Sequence, residues 1–459
     1  MAGPVSARFD DRFVHLALAT TRGGDPSATY SAVATDTRAL LPGALFVALK
    51  GERFDGHDHL AAAAAAGARA AVVRIGTPPV AGLPSYEVAD TLHAYGELAR
   101  AHRTRIAGPV IAVTGQNGKT STKEMLAAAL ATRWRTHRTP ANDNNLVGVP
   151  QTILAAPPDT EALVIEAGAN RPGEIARYRE IINPDIALVL NAGAGHLEGF
   201  GSVAGVVREK LELVRSVPLA IVGVVPPELA DGARARGARR VITAGLAGAE
   251  VVPERVRVLP DGRPEVTIDG RTFVLTVRGG HQAGNAVFAW AVARELGLDL
   301  DAVAEALEAA VVPAGRGQLV RQGNLEILHD GYNANPESFR TAIALAAAMR
   351  SDDRRLVFVA GTMRELGADS ADLHRQVARE LAALNPDLLA LAGDFVAAFE
   401  PWRDRFAGRL LEAPDAETMS ALLAERLAGN ELVFLKGSRG TALERIFPSL
   451  LARVPPAEA

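Results

Sequence analysis

The sequence contains no cysteine. This absence excludes disulfide bonds, cysteine-held iron–sulfur clusters and thiolate zinc sites, although cysteine alone leaves the redox compartment undetermined. A block of basic residues is also missing, and the formal net charge is only −4. Nothing in the charge pattern therefore favours a nucleic-acid partner, and small-molecule chemistry is favoured instead.

Long apolar runs are missing as well. The longest alanine run, residues 61–66, ends at Gly67, and no uninterrupted apolar run reaches the roughly 18 residues of a membrane span. Near the amino terminus, Asp10, Asp11 and Arg12 stand where a signal peptide would need its apolar core. We therefore expect no membrane span and a cytoplasmic protein.

The length and composition describe a globular protein of more than one domain. The chain has 459 residues, of which 48% are hydrophobic and 22% charged, and a single core rarely extends over so long a chain. Polar linker-like segments lie near residues 103–109 and 313–317. We predict domains at residues 1–106, 107–313 and 314–459.

A phosphate-binding loop is predicted at the start of the second domain. Apolar strand-forming residues at 110–113 precede Gly115, Gln116, Asn117, Gly118, Lys119, Thr120 and Ser121. Gly115 and Gly118 allow backbone angles that other residues resist, so that N–H groups can point at an anion at the start of the next helix. Lys119 supplies a cation for the outer phosphates, and the Thr120 hydroxyl is placed to hold magnesium. A plain strand-to-helix turn would give no reason for the adjacent Lys and Thr.

Other candidate residues follow predicted strands of the same domain. Glu166 ends a short apolar strand, and His196 follows the strand predicted at residues 186–190. The carboxyl ends of parallel strands face the ligand crevice of an α/β fold, so Glu166 suits a magnesium or water-orienting role. A helix predicted at residues 204–215 carries Lys210 near this crevice.

Further polar clusters allow two interpretations. Asn142, Asn144 and Asn145 suit sugar or pyrophosphate oxygens, but turn formation explains them equally well. In the first domain, residues 35–38 and 50–57 lie beside predicted strand ends, where either ligand contacts or solvated turns are expected.

The remaining secondary structure is predicted to be mostly α/β. Helices are expected at residues 58–67, 91–103, 285–296 and 300–310, and Asp269-Gly270 indicates an antiparallel hairpin. Strands at residues 325–328, 356–360, 388–391 and 432–435 alternate with helices, which predicts a mostly parallel sheet. Polar residues that include Asp330, Asn333 and Asn335 follow the first of these strands.

Together these motifs resemble the Mur ligase family over nearly the whole chain. The matching stretches are residues 35–38, 46–57, 115–120, 144–150, 168–175, 196–201, 332–336 and 436–439. The phosphate loop is shared with folylpolyglutamate synthetases. The stretches that begin at residues 168, 196 and 332 resemble in particular those of the ligases that add D-alanyl-D-alanine to UDP-N-acetylmuramoyl-tripeptide.

The resemblance implies a three-domain α/β architecture: a small N-terminal domain for the UDP-sugar nucleotide, a central P-loop parallel-sheet ATPase domain and a C-terminal Rossmann-like domain. It also implies ATP-dependent amide formation through an acyl phosphate in peptidoglycan precursor synthesis. The expected substrates are the UDP-linked tripeptide and D-alanyl-D-alanine, and the expected state is a monomer.

The resemblance also assigns residues. Besides the phosphate loop, the implied ATP contacts are Asn285, Arg316 and Asp330. One magnesium ion would be held by Thr120 and Glu166, and a second by His196 and a carbamylated Lys210. The implied substrate contacts are Thr37, Arg38, Lys50, Asn144, Asn145, Asn333 and Asn335.

Two other classes of function stay open on the sequence. A related ligase could use a different acceptor, which acceptor screening would reveal. A nucleotide-dependent switch or scaffold would instead release phosphate without either substrate.

Overall fold

A computed structural model describes residues 9–20, 23–195 and 197–452. The chain divides into two compact units. The first contains the described residues up to Val113 together with Arg133–Ala169 and Gly173–Ala187. The second contains Thr114–Thr132, Asn170–Pro172 and the described residues from Leu188 onward. The predicted domain boundaries at 106/107 and 313/314 stay predictions.

The amino-terminal part of the chain is a small α/β region. It contains β1 (Phe9–Asp10), α1 (Asp11–Leu18), β2 (Thr29–Tyr30), β3 (Val33–Ala34), β4 (Leu45–Val47), α2 (Leu60–Ala65), β5 (Ala70–Arg74), β6 (Ser85–Val88) and α3 (Thr91–Arg103). Strands β3, β4, β5 and β6 form a parallel sheet in that order. Phe46, Leu60 and Val73 belong to the core on one of its faces. The loops after β3 and β4 therefore leave the same edge of the sheet.

The central part of the chain also combines strands and helices. It contains β7 (Val110–Thr114), α4 (Lys119–Ala131), β8 (Thr136–Arg138), α5 (Gly148–Ala155), β9 (Ala162–Glu166), α6 (Glu174–Ile182), β10 (Ile186–Val189), α7 (Leu197–Phe200), α8 (Val203–Lys210), β11 (Leu219–Val222), α9 (Leu229–Ala235), β12 (Arg240–Thr243), β13 (Arg255–Val258), β14 (Pro264–Ile268), β15 (Arg271–Val274), α10 (His281–Glu295) and α11 (Leu300–Glu308). Six strands form a sheet in the order β12-β11-β10-β7-β9-β8.

The strand pairing in this part agrees with the sequence pattern. Strands β7, β8 and β9 pair in parallel, as do β11 and β12. The predicted hairpin is confirmed, because β14 and β15 are antiparallel around Asp269 and Gly270. Both turn residues have positive φ angles, +47° and +74°, which is the geometry that tight hairpin turns require.

The carboxyl-terminal part is a second, nearly all-parallel sheet. It contains β16 (Gln318–Gln322), β17 (Leu325–Asp330), α12 (Pro336–Ala348), β18 (Leu356–Ala360), α13 (Ser370–Leu384), β19 (Leu388–Ala392), α14 (Asp394–Ala398), β20 (Leu410–Ala413), α15 (Ala416–Arg426), β21 (Leu432–Lys436) and α16 (Phe447–Leu451). The strand order is β16-β17-β21-β18-β19-β20, and only β16 runs antiparallel to its neighbour. Apolar clusters that include Phe358 and Val359 cover its two faces. The predicted alternation of strands and helices is confirmed.

Some predicted helix limits are wrong. The helix expected at residues 58–67 begins as a 3₁₀ turn at Gly56–His59 and continues as α2, because Asp55 caps the turn through His57 N. The helix expected at residues 204–215 ends at Lys210 and continues as the 3₁₀ turn Leu211–Val214. Three of these four turn residues are buried, so the apolar pattern continues past the α-helix.

The helix predicted from residue 285 begins earlier, at His281, where Gly280 is its N-cap. Gly279 before it has a φ of +104°, which places the chain reversal ahead of the helix. Asn285 therefore lies in the second turn of α10 instead of at its start. Among the described residues, no helix has both the length and the apolar character to cross a membrane.

Candidate active site

The predicted phosphate loop joins the buried strand β7 to helix α4. Gly118 is the N-cap of α4 and has a φ of +84°. A Cβ atom at this position would lie 2.3 Å from Asn285 Oδ1, so that only glycine fits. No side chain caps the amino end of α4. The positive end of the helix dipole therefore faces the loop, which suits an anion.

Asn191 fixes the backbone of the phosphate loop through hydrogen bonds. Its Oδ1 accepts hydrogen bonds from the backbone N–H groups of Gln116, at 3.0 Å, and Asn117, at 2.9 Å. Its Nδ2 donates to the Asn117 carbonyl oxygen at 3.2 Å. One amide side chain thus fixes both residues at the tip of the loop. Asn191 is a site residue that was not predicted from the sequence, although its place just after β10 is a signal that could have indicated it.

Two lysines point at the same carbonyl group in the loop. Lys119 Nζ donates to the Gly115 carbonyl oxygen at 2.9 Å, and Lys210 Nζ donates to that oxygen at 2.9 Å. Lys210 is 3% exposed. Burial holds the pKa of Lys210 well below its usual range, repulsion from Lys119 lowers it further, and Glu209 opposes both effects. These surroundings favour the neutral form of the Lys210 amine more than solvent would.

Two buried polar atoms, one at the end of β7 and one in the loop, have no protein partner in the described part of the chain. They are Thr114 Oγ1 and Gln116 Oε1. Such atoms are costly to bury unless a ligand or water satisfies them. They fit a loop that binds a polar ligand.

Asn285 supports the helix that follows the loop. Its Oδ1 accepts a hydrogen bond from Thr122 Oγ1 at 3.3 Å, and its Nδ2 donates to Gln282 Oε1 at 2.8 Å. The residue is 7% exposed. The structure thus places this predicted ATP contact beside the phosphate loop, where it fixes α4.

The loop also contacts the start of helix α12. Asn335 Nδ2 donates to Asn117 Oδ1 at 2.7 Å, and Asn117 Nδ2 donates to Glu337 Oε2 at 3.1 Å. Asn335 is therefore brought to the phosphate loop. Glu337 is a second site residue that was not predicted from the sequence.

Asp330 lies at the carboxyl end of β17 and is paired with Lys436. Lys436 is 2% exposed, and its Nζ contacts Asp330 Oδ2 at 2.7 Å and the Asn333 carbonyl oxygen at 2.9 Å. The Arg316 guanidinium stacks on the Tyr332 ring at 4.0 Å from its centroid. The structure brings Asp330 and Asn333 together through this lysine, and it places Arg316 against the adjacent tyrosine.

In the first unit, Glu166 is the last residue of β9 and is 1% exposed. Its backbone N–H donates to Thr139 Oγ1 at 2.9 Å, and its Oε1 accepts a hydrogen bond from Asn144 Nδ2 at 2.8 Å. Register pairs it with Val113, near the end of β7. Asn144 therefore orients the carboxylate, while Asn145 Oδ1 accepts bonds from the N–H groups at the start of α5.

The other predicted substrate contacts of the first unit lie in loops after β3 and β4. Arg38 forms an ion pair with Asp36 that includes several hydrogen bonds, and this holds the pKa of Asp36 at about 2. Thr37 begins the 3₁₀ turn that Asp36 caps. Lys50 Nζ lies 3.6 Å from Asp55 Oδ2. Both loops lie beside strand ends, as the sequence pattern predicts, and the parallel pairing of β3 and β4 places them at the same sheet edge.

His196 lies outside the described residues, so its predicted metal role stays a prediction. Within the described ranges, no three His, Asp or Glu side chains cluster in the way that a metal site would need.

Comparison with known families decides the classification. The family described as "Mur ligase middle domain" matches residues 113–293, "Mur ligase, glutamate ligase domain" matches 315–439, and "Mur ligase family, catalytic domain" matches 29–103. A relative from Escherichia coli, UDP-N-acetylmuramoyl-tripeptide--D-alanyl-D-alanine ligase, is 37% identical over 92% of this chain and 94% of its own length. This chain belongs to the Mur ligase family.

Other members of the family agree in sequence and in structure. A Bacillus subtilis ligase of the same name is 33% identical over 91% of this chain and 93% of its own. The crystal structure of MurF from Acinetobacter baumannii has a TM-score of 0.86 at 30% identity, with 97% of this chain and 99% of that chain covered. MurF from Thermotoga maritima in complex with ADP has a TM-score of 0.82 at 28% identity, with 92% and 97% covered. The predicted three-domain Mur ligase architecture is thereby confirmed.

Proposed function

We infer that this chain is an ATP-dependent ligase that joins D-alanyl-D-alanine to UDP-N-acetylmuramoyl-tripeptide in peptidoglycan precursor synthesis. The relatives from Escherichia coli and Bacillus subtilis bear the name of this activity and match over more than nine-tenths of their length. The structural observation that carries the function is the phosphate loop, in which Lys119 and Lys210 both meet the Gly115 carbonyl oxygen.

The reaction needs ATP because a carboxylate is a poor electrophile. The terminal carboxylate of the tripeptide attacks the γ-phosphorus of ATP, the bond to the bridging oxygen breaks, and ADP leaves. The acyl phosphate is then attacked by the amine of the dipeptide, an amide bond forms, and inorganic phosphate leaves. The first step brings two anions together, so positioning and charge neutralisation are the main sources of catalysis.

We propose that the phosphate loop supplies this neutralisation. Lys119 is a mobile point charge at the loop and binds the transferring phosphate. The residues Gly115, Gln116, Asn117, Gly118, Lys119, Thr120 and Ser121 surround the phosphates, and the N–H groups at the start of α4 point at them. Asn285, Arg316 and Asp330 contact the rest of the nucleotide. Asn191 keeps the loop in its binding geometry through both amide N–H groups.

We propose two magnesium sites on the basis of the family resemblance. Thr120 and Glu166 would hold one ion, and His196 with carbamylated Lys210 would hold the other. Hydroxyl and carboxylate oxygens are the ligands that magnesium prefers, and phosphate oxygens and waters usually complete its shell. Buried Glu166, already oriented by Asn144, fits that donor set. When bound, the ions neutralise phosphate charge and orient the reacting groups.

Lys210 has the surroundings that carbamate formation needs. Its neutral amine can add to carbon dioxide, which forms an N–C bond and releases one proton, and the product is an oxygen anion. The buried position and the lowered pKa favour the neutral amine. We propose that the carbamate converts Lys210 from a poor into a suitable magnesium ligand.

The remaining assignments are proposals of the same kind. Thr37, Arg38 and Lys50 bind the UDP-linked substrate, Asn144 and Asn145 act near its peptide, and Asn333 and Asn335 serve the dipeptide. We also propose a cytoplasmic location, where ATP is supplied, and a monomeric state.

An acceptor screen tests the function. ADP release is measured with ATP, magnesium and UDP-N-acetylmuramoyl-tripeptide, whose third residue is varied between meso-diaminopimelate and lysine, and each candidate acceptor is added in turn. We expect turnover to require both the tripeptide and D-alanyl-D-alanine. Turnover with a different amine would indicate a related ligase, and phosphate release without either substrate would indicate a nucleotide switch; both results contradict the proposal.

A further inference from the structure

One carboxylate lies beside the phosphate loop without a role in phosphate or magnesium binding. Glu337 is the second residue of α12, and its Oε2 accepts a hydrogen bond from Asn117 Nδ2 at 3.1 Å. Asn117 belongs to the loop that binds the phosphates. Carboxylates beside bound phosphate groups are unfavourable because both are negative, so a glutamate at this position calls for a specific reason.

The backbone ahead of His196 also approaches this carboxylate. A Cβ atom on Gly193 would lie 2.2 Å from Glu337 Oε1. Gly193 therefore makes room for the side chain, and Glu337 lies between the phosphate loop and the turn that follows Asn191. The acyl phosphate must form at this loop, because the transferring phosphate binds there.

The start of α12 holds Glu337 firmly. Asn335 Oδ1 accepts the Ser338 N–H at 2.9 Å, and Ser338 Oγ accepts the Asn335 N–H at 3.0 Å, which forms a capping box. The same Asn335 donates to Asn117 Oδ1 at 2.7 Å. Both ends of the Asn117 amide are therefore bound to the start of α12, and the position of Glu337 relative to the loop is set by three side chains.

One oxygen of Glu337 remains open. Its Oε1 accepts no hydrogen bond from any residue in the described ranges, although the side chain is half-buried. Burial raises the pKa of Glu337, while Arg340 and the Asn117 hydrogen bond partly oppose the rise. A carboxylate with a raised pKa and an open oxygen is suited to receive a proton.

We propose that Glu337 accepts a proton from the ammonium group of the incoming dipeptide. The inference rests on the proposed ligase function, whose second step needs a neutral amine. The free α-amino group has a pKa of about 7.7–8.0, so much of the dipeptide arrives protonated near neutrality. Catalysis of this proton transfer would contribute about 100-fold or more to the rate of amide formation.

Amide formation begins with the proton transfer to Glu337. The ammonium N–H bond breaks, its proton moves to Glu337, and the freed lone pair forms the C–N bond to the acyl carbon. The C–O bond to phosphate breaks, and its electron pair leaves with the phosphate. The second nitrogen proton passes to the departing phosphate, and Glu337 later loses its proton to solvent.

The test compares two nucleophiles in Glu337→Gln, which keeps the size and one acceptor oxygen for Asn117. D-Alanyl-D-alanine must lose a proton before it attacks, whereas hydroxylamine is largely uncharged near neutral pH and forms a hydroxamate. We expect kcat with the dipeptide to fall about 100-fold and the hydroxamate rate to stay within about threefold of the unsubstituted chain. Positional isotope exchange in ATP, measured with the tripeptide alone, should be unchanged, because acyl phosphate formation does not use this proton transfer.

Several outcomes would overturn the proposal. Equal losses with both nucleophiles, or a loss of isotope exchange, would mean that Glu337 only fixes α12 to the loop or affects phosphoryl transfer. A dipeptide rate within about threefold of the unsubstituted chain would mean that no proton transfer depends on it. Absence of isotope exchange in the unsubstituted chain would instead contradict the ligase function itself.

Two further variants keep the experiment decisive. Glu337→Asp retains a carboxylate that is one methylene shorter, and we expect it to recover part of the dipeptide rate. Glu425→Gln makes the same chemical change at an exposed position of α15 and should leave both rates unaltered. If Glu337→Asp had no higher rate with the dipeptide than Glu337→Gln, the proposal would be overturned, because a carboxylate at this position should restore part of the proton transfer. Thermal unfolding of all three variants confirms that the comparison is between folded proteins.

Discussion

The phosphate loop and the loops of the amino-terminal region hold their polar side chains in different ways. In the phosphate loop, the partners lie far apart in the sequence: Gly115 meets Lys210 across 95 residues, and Asn117 meets Glu337 across 220. In the amino-terminal loops, Arg38 pairs with Asp36 across 2 residues. That pair is also exposed: 88% of the Arg38 side chain and 44% of the Asp36 side chain are accessible to solvent.

This difference indicates different contributions to catalysis. Buried groups that are fixed by distant partners need no reorganisation during the reaction, which is the condition for transition-state stabilisation. An exposed local ion pair contributes little to stability and can exchange its partner for a substrate anion at small cost. Changes in the phosphate loop should therefore lower kcat, whereas changes in the amino-terminal loops should raise KM.

The largest effect is expected for Lys119→Ala. If Lys119 is the point charge at the phosphates, as proposed, its removal should lower kcat by about 1,000-fold. The side chain contributes no apolar core packing, so the thermal unfolding temperature should stay close to that of the unsubstituted chain. ATP-dependent ligation and thermal unfolding are measured on the same preparation. Ligation near the original rate would remove Lys119 from the catalytic assignment.

A large but partly reversible effect is expected for Lys210→Ala. If a carbamate forms at Lys210, its loss should lower kcat about 100-fold, and acetate should restore part of the rate because a small carboxylate can occupy the vacated space. Lys210→Arg should stay inactive, since it restores charge and length but cannot form a carbamate.

A readout independent of activity completes this prediction. The unsubstituted chain, incubated with ¹³C-labelled bicarbonate, should show a carbamate carbon signal by NMR that is missing from Lys210→Arg. Full activity of Lys210→Arg, or the same spectrum for both proteins, would show that no carbamate is needed at this position.

The residues at the centre of the site differ in how far sequence predicts them. The loop from Gly115 to Ser121 is predictable because glycine, lysine and threonine have local reasons to stand at that spacing after a strand. Asn191 has only the weaker signal of its place after a strand, and Glu337 has no local signature. Both contact Asn117 of the phosphate loop, from which Asn191 is separated by 74 residues and Glu337 by 220, so that only the fold brings them to the loop.

The errors in helix limits have a local cause. Apolar residues after Lys210 keep a helix-like spacing, but they belong to a 3₁₀ turn. Over so few residues the spacing cannot distinguish that tighter turn from an α-helix.

At Asn145 the sequence leaves two interpretations open, because an amide suits both a substrate contact and a turn. The structure shows its Oδ1 engaged at the start of α5, which is the turn-forming role. Whether it also contacts substrate stays a prediction.

The smallest effect is expected for Arg38→Ala. Arg38 is exposed and paired with its neighbour Asp36, so its loss should leave the unfolding temperature unchanged. If the guanidinium binds an anionic group of the UDP-linked substrate, which the family resemblance makes a contact of Arg38, KM for UDP-N-acetylmuramoyl-tripeptide should rise about tenfold while kcat and KM for ATP stay constant. Steady-state kinetics with each substrate varied in turn measures these constants.

Arg100→Ala is the matched control for this change. Arg100 is also an exposed arginine of the first unit with a nearby acidic partner, Glu97, but it lies on α3 instead of a strand-end loop. Both variants remove one positive charge, so a general electrostatic effect would raise KM equally in the two. A rise confined to Arg38→Ala would locate the substrate anion at the loop after β3. A fall in kcat for Arg38→Ala would instead break the contrast between the two regions, because the exposed loop would then contribute to the transition state.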